Sequence, residues 1–152
     1  MGRINMGRVI LGGIVAGIVG NVLGFLVDGV LLAPQWADGM KALGRPDFST
    51  AQNIGFNIIG LVYGIFTVWL YAAIRPRYGA GPKAAVCAGL AVWVAGILLP
   101  NIVFMGVAGL FATNLIVMTT GAGIVEWVAA ALTGAALYKE SLGSAQSMSA
   151  RA

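Results

Sequence analysis

The chain reads as an all-α membrane protein, with four transmembrane helices in a close-packed antiparallel bundle and a short interfacial helix between the first two. Three observations predict this class. Of the 152 residues, 59% are hydrophobic and 9% charged, and the mean hydropathy is +0.91, far from the balance of a water-soluble domain. Apolar runs recur at four places, each long enough for the roughly 20 residues a bilayer core demands. Glycine contributes 23 residues, many at helical spacing, and in lipid such residues let helix backbones approach one another.

The first span, about residues 9–32, follows Arg3 and Arg8 and is longer than the apolar segment of a secretory signal. Pro34 after Ala33 argues against cleavage there. The second, third and fourth spans read as about 52–74, 84–107 and 114–138. Residues 1–140 thus form a single four-helix transmembrane domain, and the small, polar stretch 141–152 reads as a disordered tail.

The only long connection joins the first two spans. Within it Trp36, Met40 and Leu43 fall at i, i+4 and i+7 after Pro34, which predicts a short helix at the membrane surface with Trp36 as its interfacial anchor. Gly44, Arg45 and Pro46 end that helix, and Ser49 and Thr50 offer caps for the second span. In the third span Pro100 removes the bond to the residue-96 carbonyl, so the helix is expected to kink or end there. The segment Val27–Pro34 resembles Val94–Pro100 after one gap, as a parallel repeat of two hairpins would.

With four spans, Arg3, Arg8, Arg75, Arg77, Lys83, Lys139 and Arg151 lie on one side, and Lys41 and Arg45 on the other. The positive-inside rule then places both termini in the cytoplasm of a multi-pass protein of a bacterial cytoplasmic (inner) membrane. The net charge of +4 is this topological signal, so nucleic acid is not an expected partner. The expected partners are the lipid bilayer and either further copies of the chain or a larger membrane complex. The lone Cys87 supports neither an intrachain disulfide nor a zinc site.

Each span carries a stripe of small and polar residues. In the first, Gly13, Gly17, Gly20 and Gly24 fall on one face, with Asn21 and Asp28 beside it. The second has Asn53, Asn57, Gly60, Gly64, Thr67 and Tyr71; the third has Ala84, Ala88, Ala91 and Ala95; the fourth has Thr119, Gly123, Glu126, Ala130 and Thr133. Seven-residue repeats of this kind suit left-handed packing at about 20°.

Glu126 stands in the middle of the fourth apolar run, and no histidine, lysine or arginine occurs at that depth. An ionisable group there is costly and usually functional. It must be protonated, hydrated, hydrogen-bonded or paired with something from outside. Its stripe position predicts a polar centre made with Asn57, Thr119 and Thr133, within reach of Asn21. The other reading is a permanently protonated donor between helices. Asp28, about a turn from the outer end, is expected to meet interfacial water or Lys41. Catalysis is not expected, since no nucleophile stands beside a base and no His or Cys cluster is available for a metal. No cofactor is predicted, although a lipid or quinone between the helices is compatible with the stripes.

The glycine-rich first span, the Trp36…Met40…Leu43-Gly44 segment and the three further spans resemble small, uncharacterised bacterial four-span membrane families, over most of the chain and without a diagnostic motif. In size the chain is also similar to small multidrug transporters, but their functional glutamate lies in the first span, where this chain has Asn21 and Asp28. Three functions follow as expectations. The first is a structural or accessory subunit that packs through its glycine faces. The second is a homo-oligomeric proton- or cation-coupled small transporter or channel using Glu126, and the third is a binder of a quinone, lipid or pigment.

Overall fold

The computed structural model describes residues 4–140. Arg3, Arg151 and the tail from Ser141 to Ala152 lie outside the described residues. Within them the chain is helix and connecting loop: α1 Met6–Leu31, α2 Ala33–Ala42, α3 Thr50–Tyr78, α4 Pro82–Val107 and α5 Thr113–Leu137. All but α2 are long and apolar enough to cross a membrane.

These helices overrun the apolar runs because capping chemistry, not hydropathy, sets their ends. Ser49 and Gln52 form a reciprocal capping box, the Gln52 amide oxygen accepting from Ser49 N–H at 2.8 Å and the Ser49 hydroxyl from Gln52 N–H at 3.3 Å. α3 therefore begins at Thr50. It also passes Ile74 and carries Pro76 in its last turn, where one lost ladder bond matters least. Gly79, at φ 83°, stops it with a bond from its N–H to Arg75 O.

Pro100 neither ends α4 nor is followed by a loop. The helix widens into π turns on either side of it, over Val94–Leu98 and Asn101–Val107, with bonds that reach back five residues from Leu99 to Val94 and from Ala108 to Val103. The wider turns take up the proline ring and its missing donor while the helix continues. α1 widens likewise over Phe25–Leu31, closed by Leu32 N–H on Val27 O at 2.8 Å. The two similar segments noted in the sequence thus adopt the same uncommon backbone.

α1 packs between α3 and α5, and α4 packs against α5 and α3. Glycines bring these backbones into direct contact. A methyl group on Gly13 would collide with the backbone of Ile65, and one on Gly64 with the backbone of Gly13 and Gly17. One on Gly17 would stand 2.7 Å from Leu61 Cα, one on Gly12 2.6 Å from Gly134 O, and one on Gly89 2.6 Å from Trp127 O. The α1 stripe is therefore shared between two neighbours: Gly13 and Gly17 meet α3, whereas Gly12, Gly20 and Gly24 turn to α5.

The buried stripes of α4 and α5 differ from the predicted ones by a single step. In α5 the buried residues are Leu115, Thr119, Gly123, Trp127, Ala130, Ala131, Gly134 and Ala135, so Trp127 replaces Glu126 at the centre and Thr133 is exposed. In α4 they are Ala84, Ala85, Ala88, Gly89, Val92 and Met105, and Ala91 and Ala95 are exposed. A helix of 3.6 residues per turn returns to the same face after either three or four residues. Sequence alone leaves that choice open, and here packing takes four.

Two apolar cores result. The larger fills the end of the bundle nearest Arg8, Arg75, Lys83 and Lys139 and includes Val9, Ala16, Val68, Ala88, Val92, Trp127 and Ala130. It closes on Tyr71 and Tyr138, whose rings meet edge to face at 5.9 Å. The smaller joins Leu32, Met105 and Leu115, with Trp36 and Phe111 packed against them. At its start α3 is exposed over nearly all of residues 51–59.

Candidate functional site

The polar residues singled out in the sequence do not form one centre. They fall into three groups, each at a different helix boundary. At the α1–α3 boundary, Asn21 Nδ2 donates to Asn57 O at 2.9 Å, while Asn57 Nδ2 donates within its own helix to Asn53 O at 2.8 Å. The Asn57 side chain is thus occupied and exposed. Gly60 is necessary here, since a methyl group on it would overlap the Asn21 amide.

The α4–α5 boundary holds a second group. Asn101 Nδ2 donates to Thr120 Oγ1 at 2.8 Å and lies 3.4 Å from Thr119 Oγ1. Trp93 Nε1 donates to Thr120 O at 2.9 Å. The Thr119 hydroxyl is itself spent on the carbonyls of Leu115 and Ile116. Thr133 does the same with Ala129 and Ala130 and, being exposed on α5, joins no group. Threonines in apolar helices satisfy their hydroxyls this way, and it removes both from the centre expected around Glu126.

The third group is acidic and lies between the two cores, where α1 crosses α5. Glu126 is half-buried, and its Oε2 stands 3.6 Å from the place a Cβ on Gly24 would occupy. Trp127 beside it is turned inward, its ring edge to face with Tyr63 at 5.5 Å, so the acid sits on the rim of the larger core. One helical turn beyond Gly24, Asp28 projects from the π turns of α1, which pack on α5. The two acids, far apart in the chain, thus lie about one helical turn apart along α1. Among the described residues neither is paired with a lysine or arginine; the single ion pair is Arg75 with Glu140.

Asp28 does not reach Lys41. Its Oδ1 accepts a hydrogen bond at 3.1 Å from Nε1 of Trp36 in α2. Trp36 in turn packs edge to face on Phe111 at 5.2 Å and on Phe48 at 6.0 Å. The residue read as a surface anchor is therefore a ligand of an acid, a role that its position eight residues after Asp28, across Pro34, did not reveal. The Asn101–Thr120–Trp93 group was equally hidden, because it depends on α4 continuing as a helix past Pro100.

Among the described residues no three His, Cys, Asp or Glu side chains converge as a metal site would require. Two carboxylates without a counter-charge can take up a proton or a cation. Comparison with protein-family models, curated proteins and solved structures finds no match to the chain.

Proposed function

We propose that the chain is a small proton- or cation-coupled transporter of a bacterial cytoplasmic membrane, with antiparallel spans, α2 lying at the outer surface and both termini in the cytoplasm. Asp28 and Glu126 are its coupling site. The observation that carries this reading is the placing of two acids from different helices, Glu126 beside Gly24 and Asp28 one turn further along α1, without a lysine or arginine partner among the described residues. Two like charges at short range in a medium of low dielectric are strongly disfavoured unless a cation or a proton joins them. A cation bound by the two acids displaces a proton from them to water, which is the exchange that couples the two.

The closed end of the bundle supports transport by rearrangement over an open pore. Backbone contacts at Gly13, Gly17 and Gly64, and the rings of Tyr63, Trp127, Tyr71 and Tyr138, seal it below the acids. Movement of a cation past this seal requires the helices to shift, as in alternating access. The same contacts weigh against the first function expected from the sequence. The glycine faces are used inside the chain, so they are not free for a partner.

In detergent solution, adding tetraphenylphosphonium or sodium to lightly buffered wild-type protein is expected to release protons in proportion to the cation bound. Glu126→Gln is expected to abolish the release, whereas Thr133→Val is expected to leave it intact. Binding without proton release would remove coupling from the proposal, and no binding of either cation would remove the site.

The exposed outer half of α3 favours a second reading, in which a partner or a second copy of the chain covers residues 51–59. Co-purification from mild detergent at fixed stoichiometry with a larger membrane complex would support the accessory-subunit role instead.

A further inference from the structure

We propose that the start of α3 is an interface between two copies of the chain, held by the side-chain amides of Asn53 and Asn57. This rests on the second reading above, commits it to one partner, and is independent of the acids.

The face arises where α1 leaves α3. Gly64 and Gly60 keep the two helices together as far as Asn21, whose amide donates to Asn57 O at 2.9 Å. Past Asn21, α1 widens into π turns that pack on α2 and α5. The first turns of α3, residues 51–59, are exposed except at Gly55. They are nevertheless formed helix: the Ser49–Gln52 box closes the first turn, and Phe56 meets Phe48 edge to face at 5.4 Å.

Asn53 and Asn57 stand one turn apart on this stretch, on the face that Gly60 and Gly64 continue toward α1. Depth makes them costly. Arg75 and Arg77 close the far end of α3, and counting back about 20 residues from there puts the other edge of the hydrocarbon close to residue 55. Asn57 lies inside that edge and Asn53 at it. Asn57 Nδ2 donates to Asn53 O at 2.8 Å, but among the described residues Asn57 Oδ1 accepts no bond and the Asn53 side chain makes none. Both side chains are exposed, and an amide group without a partner in hydrocarbon is unfavourable.

The unused groups decide the partner. Asn57 offers an acceptor, which needs a donor. Acyl chains have no donor, and the ester carbonyls beneath lipid headgroups only accept. A second copy supplies the missing groups, because its Asn53 brings N–H donors and its Asn57 brings the same free acceptor. The face is thus complementary to itself, as a two-fold interface requires. In such a dimer Asn53 Nδ2 of each copy donates to Asn57 Oδ1 of the other. Helical side chains lean toward the helix N-terminus, which carries the Asn57 amide toward the level of the facing Asn53. Ile54 and Phe56, 56% and 53% exposed, flank the amides on either side and supply apolar contact around the bonds. Since α1 occupies the same face from Gly60 onward, the two α3 helices touch over their first turns and diverge around α1.

The test is disulfide trapping of the whole protein in phosphatidylcholine vesicles, with the native thiol removed by Cys87→Ala. Asn53→Cys leaves the Asn57 amide in place, and Asn57→Cys leaves that of Asn53; each is expected to give a cross-linked dimer on mild oxidation. Val117→Cys, at a position 64% exposed on α5, is expected to give none. In micelles, sedimentation equilibrium of the wild type is expected to show monomer and dimer in balance. The double variant Asn53→Leu, Asn57→Leu is expected to raise the dissociation constant about tenfold, with its thermal unfolding at or above the wild-type temperature.

A wild type that is monomeric at every concentration, cross-linking at Val117→Cys equal to that at Asn53→Cys, or a dimer indifferent to the two leucines would each overturn the proposal. In native membranes, a bifunctional thiol reagent on Asn57→Cys separates this failure from that of the second reading. An adduct with a different protein in place of the dimer would overturn the self-pairing and leave that reading standing, whereas no adduct of any kind would remove both.

Discussion

Asn21 of α1 donates from its side-chain amide to the backbone carbonyl of Asn57 in α3 at 2.9 Å, and Gly60 leaves the space that this amide fills. Among the described residues it is the last polar side-chain tie between α1 and α3 before the exposed stretch 51–59 of α3. Asn21→Ala should lower stability by about 0.6 kcal/mol, the mean for such bonds between membrane helices. Gly60→Ala should break the same bond by displacing the amide. The double variant is then expected to cost clearly less than the sum of the two, as measured by reversible unfolding in mixed micelles.

Gly13 and Gly64 are expected to be far less tolerant. A methyl group at either meets backbone that cannot turn aside, and overpacking of this kind costs about 1–3 kcal/mol, occasionally more. Gly13→Ala and Gly64→Ala should each fall at or above the top of that range. Gly55 and Gly121, also inside helices, have nothing within 4 Å of the added carbon. Replacing them with alanine should stabilise the protein by about 0.5 kcal/mol through helix propensity. A thermal-stability series over these four positions separates contact from composition.

At the closed end, Tyr138 has three partners. Its hydroxyl accepts from Asn5 N–H at 3.3 Å, its ring meets Tyr71, and the guanidinium of Arg75 lies 5.7 Å over it. Tyr138→Phe should cost about 1 kcal/mol for the hydrogen bond alone. Tyr138→Ala should cost about 3 kcal/mol or more and expose Asn5 to faster amide exchange.

The Arg75–Glu140 pair close by is a 3.4 Å ion contact without hydrogen-bond alignment, and both side chains are partly in contact with solvent. Glu140→Gln is therefore expected to change stability by less than about 1 kcal/mol, with the difference vanishing in high salt. A larger, salt-resistant effect would mean that this contact is enclosed by something else in the membrane.

Gly24 offers a direct check on where Glu126 points. A Cβ there would lie in ordinary contact with Glu126 Oε2, so Gly24→Ala should fold and retain cation binding. Gly24→Leu should crowd the Glu126 carboxylate and reduce binding at least tenfold while leaving the contacts of Gly13 and Gly17 with α3 intact. Calorimetry with tetraphenylphosphonium on the two variants reads both outcomes.

Hydropathy, summed over a local stretch, was enough to locate the four spans, because the cost of placing backbone and side chains in hydrocarbon is local. Caps at Ser49–Gln52 and Gly79 were equally legible, since each is completed within a few residues. The facing of the helices was not. Glu126 and Trp127 are adjacent and either suits a stripe of small residues, and only the approach of Gly20 and Gly89 to Trp127 decides that the ring goes inside and the acid to the rim. Nor does any local pattern join Asp28 to Trp36 or bring Glu126 to Gly24. Those meetings depend on how α1, α2 and α5 pack, and energies that depend on which surfaces meet are properties of the assembled bundle.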